Sequence, residues 1–245
     1  MQPEIFTAIH NQENFYWWFV GRRKLVRDSF QRCRVVRGVR LKLLDIGCGT
    51  GALLEEFGPL GLAVGTDLSP VALQFCRARG LRTALFADGT RLPFATASFN
   101  CISAMDVIEH IPADAAVLRE CHRVCAAGGV MSITVPALHW LWTTRDERLA
   151  HQRRYNRRGL ITAARQAGFE VEQCSYYTFC MFFPFAAFVL WNRVLGRHPD
   201  VKQDVPSIPR WLNSILRRII IAEQLLMRWI NYPIGVSLYC LLRKT

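Results

Sequence analysis

Leu43-Leu44-Asp45-Ile46-Gly47-Cys48-Gly49-Thr50-Gly51 is the stretch that decides how this chain is read. An apolar run of strand character reaches an acid, crosses glycines at 47, 49 and 51, and enters a helical pattern at Ala52. The pattern predicts a strand, a tight turn and a helix. Glycines at these positions let the backbone take positive φ and let a flat ligand lie against it. An ordinary βα turn has the same look, so the residues that follow must settle the reading.

Downstream, strand and helix patterns alternate. Strand one is Lys42 to Ile46, with a helix from Gly51 to Phe57 closed by Gly58-Pro59. A second strand, Leu62 to Thr66, ends at Asp67, and Ser69-Pro70 caps a helix from Val71 to Arg79. Thr83 to Phe86 is a third strand running into Ala87-Asp88-Gly89, and Phe99 to Ala104 a fourth running into Met105-Asp106. A helix from Ala113 to Ala126, stopped by Gly128-Gly129, precedes a fifth strand from Val130 to Val135. This order implies parallel strands joined by right-handed crossovers, with a ligand over their carboxyl ends. Asp67 is then placed to accept hydrogen bonds from a ribose diol. Asp88 can take an adenine amino group, and Leu92-Pro93-Phe94 supplies apolar surface for the ring.

A length of 245 residues, 51% hydrophobic and 20% charged, fits one sizeable folded α/β unit with an appended segment. Glu4, His10, Asn11 and Glu13 interrupt any signal-peptide pattern, so secretion is not expected. The nine cysteines include no Cys-x-x-Cys pair and read as buried thiols in a reducing, cytoplasmic compartment. The net charge of +12 is concentrated at Arg22 to Lys42, which includes Arg34 and Arg37, and at Arg145 to Arg158. Such clusters point to a polyanionic partner, or else to a solvated basic face.

The carboxyl-terminal part reads as a helix from Asn156 to Ala167, a sixth strand from Val171 to Tyr177 and an antiparallel last strand from Ser237 to Leu242. The span between them, 179–233, is far longer than a hairpin requires. Gln173 to Asn192 carries no charge but is broken by Pro184. A single membrane crossing there would separate two strands of one sheet. Trp211 to Ile230 places Trp211, Leu212, Ile215, Leu216, Ile219, Leu226 and Trp229 near one stripe, with Arg217, Arg218 and Arg228 elsewhere. That pattern is an interfacial amphipathic helix, and the span reads as a membrane-docking hairpin; the plainer alternative is a helical subdomain or a dimer interface.

Between Leu41 and Pro136 these motifs resemble the class I S-adenosylmethionine-dependent methyltransferases. Asp45 before Gly47-x-Gly49-x-Gly51, Asp67 after strand two, Ala87-Asp88-Gly89 after strand three, and Leu92-Pro93-Phe94 followed by a strand and Asp106 stand in that family's order. The resemblance implies a Rossmann-like, seven-stranded, mostly parallel sheet with helices on both faces, an antiparallel last strand and a helical insert between strands six and seven. In domain terms, 1–40 is an N-terminal helical cap, 41–178 with 234–245 the methyltransferase core, and 179–233 the insert. The implied cofactor is S-adenosylmethionine, with Asp45, Gly47, Cys48, Gly49, Thr50, Gly51, Asp67, Leu68, Asp88, Gly89 and Asp106 around it. A nicotinamide dehydrogenase also fits Gly47-x-Gly49-x-x-Ala52, but does not ask for Asp45 or Asp88-Gly89. Phe15-Tyr16-Trp17-Trp18-Phe19 with Arg22-Arg23 resembles the opening segment of methyltransferases tied to glycan or lipid biosynthesis. There Arg22 would pair with the cofactor carboxylate, under Trp17 and Trp18.

Methyl transfer from a sulfonium is an in-line displacement, so the protein must align the acceptor and take its proton. His151 and His110 are the candidate bases, with His139 also on the ligand side. His139, Trp142, Arg153, Arg154 and Tyr155 form the candidate acceptor segment, the arginines suited to an anionic group. No metal is expected; Asp106, Glu109 and His110 are the alternative set that would suit Mg or Zn, a pattern resembling one linked to a divalent metal in some quinone-type O-methyltransferases. The expected function is O-methylation of a lipid-linked or glycan-type acceptor, at the inner face of a membrane. A soluble small-molecule or RNA methyltransferase, or a cofactor-binding adaptor without turnover, are the alternatives, and nucleic acid is the less favoured partner.

Overall fold

Two helices open the described chain, α1 (Pro3–Gln12) and α2 (Trp17–Arg32), and the apolar run beyond them becomes β1 (Leu41–Ile46). The computed structural model describes residues 3–32, 40–201 and 205–245, so Cys33, Arg34 and Arg37 lie outside it. The expected alternation follows: α3 (Ala52–Phe57), β2 (Gly61–Asp67), α4 (Pro70–Ala78), β3 (Ala84–Phe86), β4 (Phe99–Met105), α5 (Asp114–Val124) and β5 (Cys125–Pro136). Fold and sequence differ at the start of β5. The double glycine does not stop α5; Cys125 is already extended (φ −69°, ψ 133°) and pairs with Phe99. Next come α6 (Thr144–Arg148), α7 (Arg157–Gln166), β6 (Glu170–Tyr177), α8 (Phe179–Val194), α9 (Arg210–Leu226) and β7 (Ser237–Arg243).

The seven strands form one sheet in the order β3-β2-β1-β4-β5-β7-β6. β1 pairs parallel with β2 and β4, while β7 runs antiparallel between β5 and β6. The central strands are covered on both faces, and this is why they read as continuous apolar runs. Leu43, Leu44, Ile102, Ile133 and Val135 are all buried. Helix starts follow local chemistry. The Ser69 hydroxyl accepts from the Ala72 N–H at 3.3 Å, and Asn156 Oδ1 from the Gly159 N–H at 2.7 Å.

The cysteine reading needs one correction: Cys174 on β6 and Cys240 on β7 are paired in register and joined as a disulfide. Cys48, Cys76, Cys101, Cys121 and Cys125 lie outside any disulfide and are buried, as expected, while Cys180 is exposed. Pro184 does not break its segment either; α8 runs through it. Among the described residues no helix is long and apolar enough to cross a membrane.

The insert is packed on the N-terminal helices. Gln224 of α9 donates to the Gly21 carbonyl at 2.8 Å, and Asn213 accepts from the Trp17 N–H and donates to the Phe15 carbonyl, both at 2.8 Å. A Cβ on Gly21 would stand 2.9 Å from Ile220 Cδ1, so glycine is what allows α2 and α9 to approach this closely. Buried Glu223 of α9 accepts the N–H of Phe179 at 3.1 Å and of Cys180 at 2.7 Å, satisfying the first turn of α8. Glu223→Ala removes the acceptor of both N–H groups at the half-buried start of α8. It is expected to cost about 1–3 kcal/mol in urea denaturation, and an unchanged midpoint would show that the cap carries no stability.

Candidate active site

A cavity of about 1320 Å³ lies over the carboxyl ends of β1, β2 and β4. Its floor is the glycine turn. Gly47 and Gly49 take φ of 65° and 54°, and a Cβ built on Gly49 would meet no atom within 4 Å, so the backbone faces open space there. Asp45, Gly47, Cys48, Gly49, Thr50, Asp67, Leu68, Gly89, Asp106, Trp18 and Arg22 all line the cavity. Gly51 does not. It begins α3 at φ 86°, with Leu81 and Cys76 pressed where a side chain would go. Asp88 is exposed outside the lining, its carboxylate accepting from the Thr90 N–H at 2.8 Å, while Ala87 and Gly89 form the wall.

The acids differ in environment. Asp45 is buried and accepts from the Ser103 hydroxyl at 2.5 Å. Asp67 accepts from the N–H groups of Gly49 and Ser69 at 2.9 and 2.8 Å, so the turn and the start of α4 hold it in place. Thr66 contributes a buried hydroxyl to the wall with no protein partner, a site for a ligand's polar atom. Asp106, at φ 56°, takes Arg22 Nη1 at 2.5 Å and the Thr134 hydroxyl at 2.9 Å. Burial opposes the Arg22 charge, but Asp106 overcomes it and raises the guanidinium pKa. Trp18 stacks on Tyr177 with ring centroids 5.6 Å apart. These carboxylates, the open glycine backbone and the unspent hydroxyl fit an adenosine sulfonium, which needs cation and diol partners and no phosphate cradle.

Sequence reasoning missed Glu13. Buried, it accepts from the Thr50 hydroxyl at 2.6 Å and pairs with Arg79, pinning the end of α1 to the glycine turn while Ile5, Phe6 and Ile9 wall the cavity. It carries no pattern that a single sequence could reveal.

Beyond Asp106 the cavity meets Glu109, His110 and His151. The metal alternative of Asp106, Glu109 and His110 does not assemble, because the Asp106 oxygens are spent on Arg22 and Thr134. Glu109, His110 and His151 instead bring donor-type atoms within 4.8 Å of one another, and among the described residues this is the group that could hold a cation. Glu109 is 0% exposed, and neither carboxyl oxygen has a partner. Burial, then Asp106, pushes its pKa well above the carboxylate range. Burial, then His151, pushes His110 down to about 4. The rings of His110 and His151 meet edge-on at 4.8 Å.

The acceptor segment is divided. His139 and Trp142 lie apart from the cavity, lining a separate open groove with Trp140, Asn156 and Arg193. Leu138 turns the chain at φ 62°, and Trp140 packs edge-on against Phe182 of α8. Arg153 pairs with Asp114 and donates to the Pro112 carbonyl, each at 2.9 Å, and the Tyr155 hydroxyl donates to Asp114 at 2.6 Å. Arg154 does line the cavity, but both ends of its fork hold Asp146, at 2.8 Å each. In place of these residues, Met181, Pro184, Phe185 and Phe188 of α8 and Leu212 and Leu216 of α9 wall the far end.

Residues 44–133 match the family model of a methyltransferase domain. The ubiquinone biosynthesis O-methyltransferase of Xanthomonas oryzae pv. oryzae is 31% identical over 100 residues, 38% of this chain and 42% of that protein. The demethylmenaquinone methyltransferase of Geobacillus stearothermophilus is 33% identical over 137 residues, 52% of this chain and 58% of that protein. The matches thus span about half the length of these curated relatives. Among solved structures, an S-adenosylmethionine dependent methyltransferase from Mesorhizobium loti superposes with TM-score 0.55 at 17% identity, covering 84% of this chain and 91% of that one. A TehB-like methyltransferase from Corynebacterium glutamicum gives 0.53 at 16%, covering 92% and 88%. These likenesses show the fold, that of S-adenosylmethionine-dependent methyltransferases, and within it residues 44–133 match the model of a methyltransferase domain.

Proposed function

We propose that this protein transfers a methyl group to a hydroxyl oxygen on an acceptor with an apolar body, taken up at the cytoplasmic face of a membrane. The observation that carries this is the continuity of one cavity from Asp45 and Asp67 to the apolar walls of α8 and α9. Bound S-adenosylmethionine supplies a methyl group on a sulfonium, which departs as a neutral thioether. Asp67 holds the ribose diol and Asp45 the ammonium. Arg22, already on Asp106, offers its remaining N–H groups to the cofactor carboxylate under Trp18. His151 takes the acceptor's proton, beside His110, and the apolar walls exclude water from that transfer. A lipid-linked acceptor suits this lining better than a free glycan.

The docking surface follows from the outer faces of the same helices. Trp229 is 86% exposed, Val194 81%, Trp191 66% and Trp211 65%, with Arg193, Arg197, Arg217 and Arg218 also exposed. The amphipathic stripe read from the sequence is therefore split. Leu212 and Leu216 face the cavity, Ile219 is half-buried, and Trp211, Ile215, Leu226 and Trp229 are exposed. Apolar rings amid guanidinium groups suit a leaflet carrying anionic lipid.

Three outcomes are expected. Calorimetry should show S-adenosylmethionine binding that Asp67→Ala weakens about ten- to a hundredfold, roughly 1.5–3 kcal/mol; a wild-type protein that does not bind it would sink the reading. Burial pushes the Asp45 carboxyl up to about 7, against the Ser103 hydrogen bond and Arg22. Below that pH the group holds a proton that the cofactor ammonium must displace. Affinity should therefore fall by up to about tenfold per pH unit as pH drops below about 7, with proton release seen in buffers of different ionisation enthalpy. Affinity flat with pH removes Asp45 from the ammonium site. Replacing Trp191, Trp211 and Trp229 together by serine should abolish co-sedimentation with phosphatidylglycerol vesicles; pelleting equal to wild type would refute membrane docking.

A further inference from the structure

Asp146 is 1% exposed and bonded through both oxygens. Oδ1 accepts from His151 Nδ1 and Arg154 Nε, each at 2.8 Å. Oδ2 accepts from Arg154 Nη2 at 2.8 Å, from the Thr143 N–H at 2.9 Å and from its hydroxyl at 3.2 Å. The Thr143 contacts are a helix-capping box, so a device that starts the short helix α6 also fixes a carboxylate beneath His151. The backbone is pinned as well. The His151 N–H donates to the Asp146 carbonyl at 2.9 Å, Ala150 sits at φ 56°, and the Gln152 N–H donates to the Glu109 carbonyl at 2.7 Å. Of the five non-glycine residues at positive φ among those described, Asp106, Ala150 and Thr178 line the cavity, so backbone strain gathers around it.

We infer that Asp146 is a positioning residue that locks His151 in its Nδ1–H tautomer, leaving the Nε2 lone pair facing the cavity and the acceptor's hydroxyl. Burial alone would raise the Asp146 carboxyl, but the bonds from His151 and Arg154 hold it well below the usual range. An ionised carboxylate can only accept, so the shared proton belongs to Nδ1. Arg154's fork prevents the carboxylate from rotating away, and this is the part its guanidinium plays. In the transfer, Nε2 takes the hydroxyl proton as the oxygen gains the methyl. The resulting imidazolium stays on Asp146 and returns its proton to water after product leaves. The inference rests on the methyltransferase reading for its consequence, but not for its test.

The test is long-range 1H–15N correlation on the full chain, at a pH where imidazoles are neutral, with His151 assigned by the signal lost in His151→Gln. Wild type should show His151 as the Nδ1–H tautomer. In Asp146→Asn the amide donates to Nδ1, and the tautomer ratio should move about tenfold or more toward Nε2–H, the scale of one charged hydrogen bond. Thr143→Ala, which keeps the carboxylate, should leave the tautomer as in wild type. A wild-type His151 that is Nε2–H or mixed, or an Asp146→Asn protein with an unchanged ratio, overturns the inference; the wild-type result decides it even if the variant does not fold. S-adenosylmethionine calorimetry on the same samples reports the cofactor reading separately, and Asp146→Asn should bind as wild type does.

Discussion

Parallel pairing of β1 with β2 on one side and β4 on the other is the constraint from which the site follows. In this register Ile46 stands opposite Thr66 and Ala104, so three strands end at one level. Asp45, Asp67 and Asp106 therefore emerge on one rim, although they are scattered along the chain. Carboxylates so close together repel and resist burial. Each has its own answer: Ser103 for Asp45, backbone N–H groups for Asp67, Arg22 for Asp106.

The Arg22 to Asp106 contact does more than neutralise charge, because it carries α2 across the mouth of the sheet. With α2 there, α9 has a surface to lie on, and Glu223 of α9 in turn completes the first turn of α8. The wall of the far chamber is thus assembled by polar contacts, while its inner lining is apolar. The polar atoms sit behind the wall, where a buried unpaired group would be costly, and the side chains left facing the cavity are aliphatic and aromatic.

Much of the sheet was legible from one sequence. Apolar runs ending in Asp or Gly mark β1, β2 and β3, and Ser69-Pro70 and Asn156 mark helix starts, because these signals are local. The glycine turn was legible for the same reason. The acceptor segment was not. His151 and Arg154 look alike in sequence as polar residues of a loop, yet both line the cavity and both are bound to Asp146, His151 through one ring nitrogen and Arg154 through its guanidinium fork. Thr143-x-x-Asp146 is a readable capping pattern, and it was the available clue to that carboxylate. The groove holding His139 and Trp142 depends on a positive φ at Leu138, which leucine does not advertise. The Cys174–Cys240 disulfide depends on register across strands distant in sequence.

By itself the sequence determined the alternating core, the strand-end acids and the open glycine backbone, because hydrophobic period and backbone freedom are properties of neighbouring residues. Tertiary structure decided which histidine stands beside which carboxylate, that Asp106 is spent on Arg22 and Glu109 on nothing, and that α8 and α9 turn apolar residues toward both the cavity and the outside. Those outcomes are set by contacts between segments far apart in the chain, and the energy of a buried charge or an unpaired donor is defined only once its neighbours are in place.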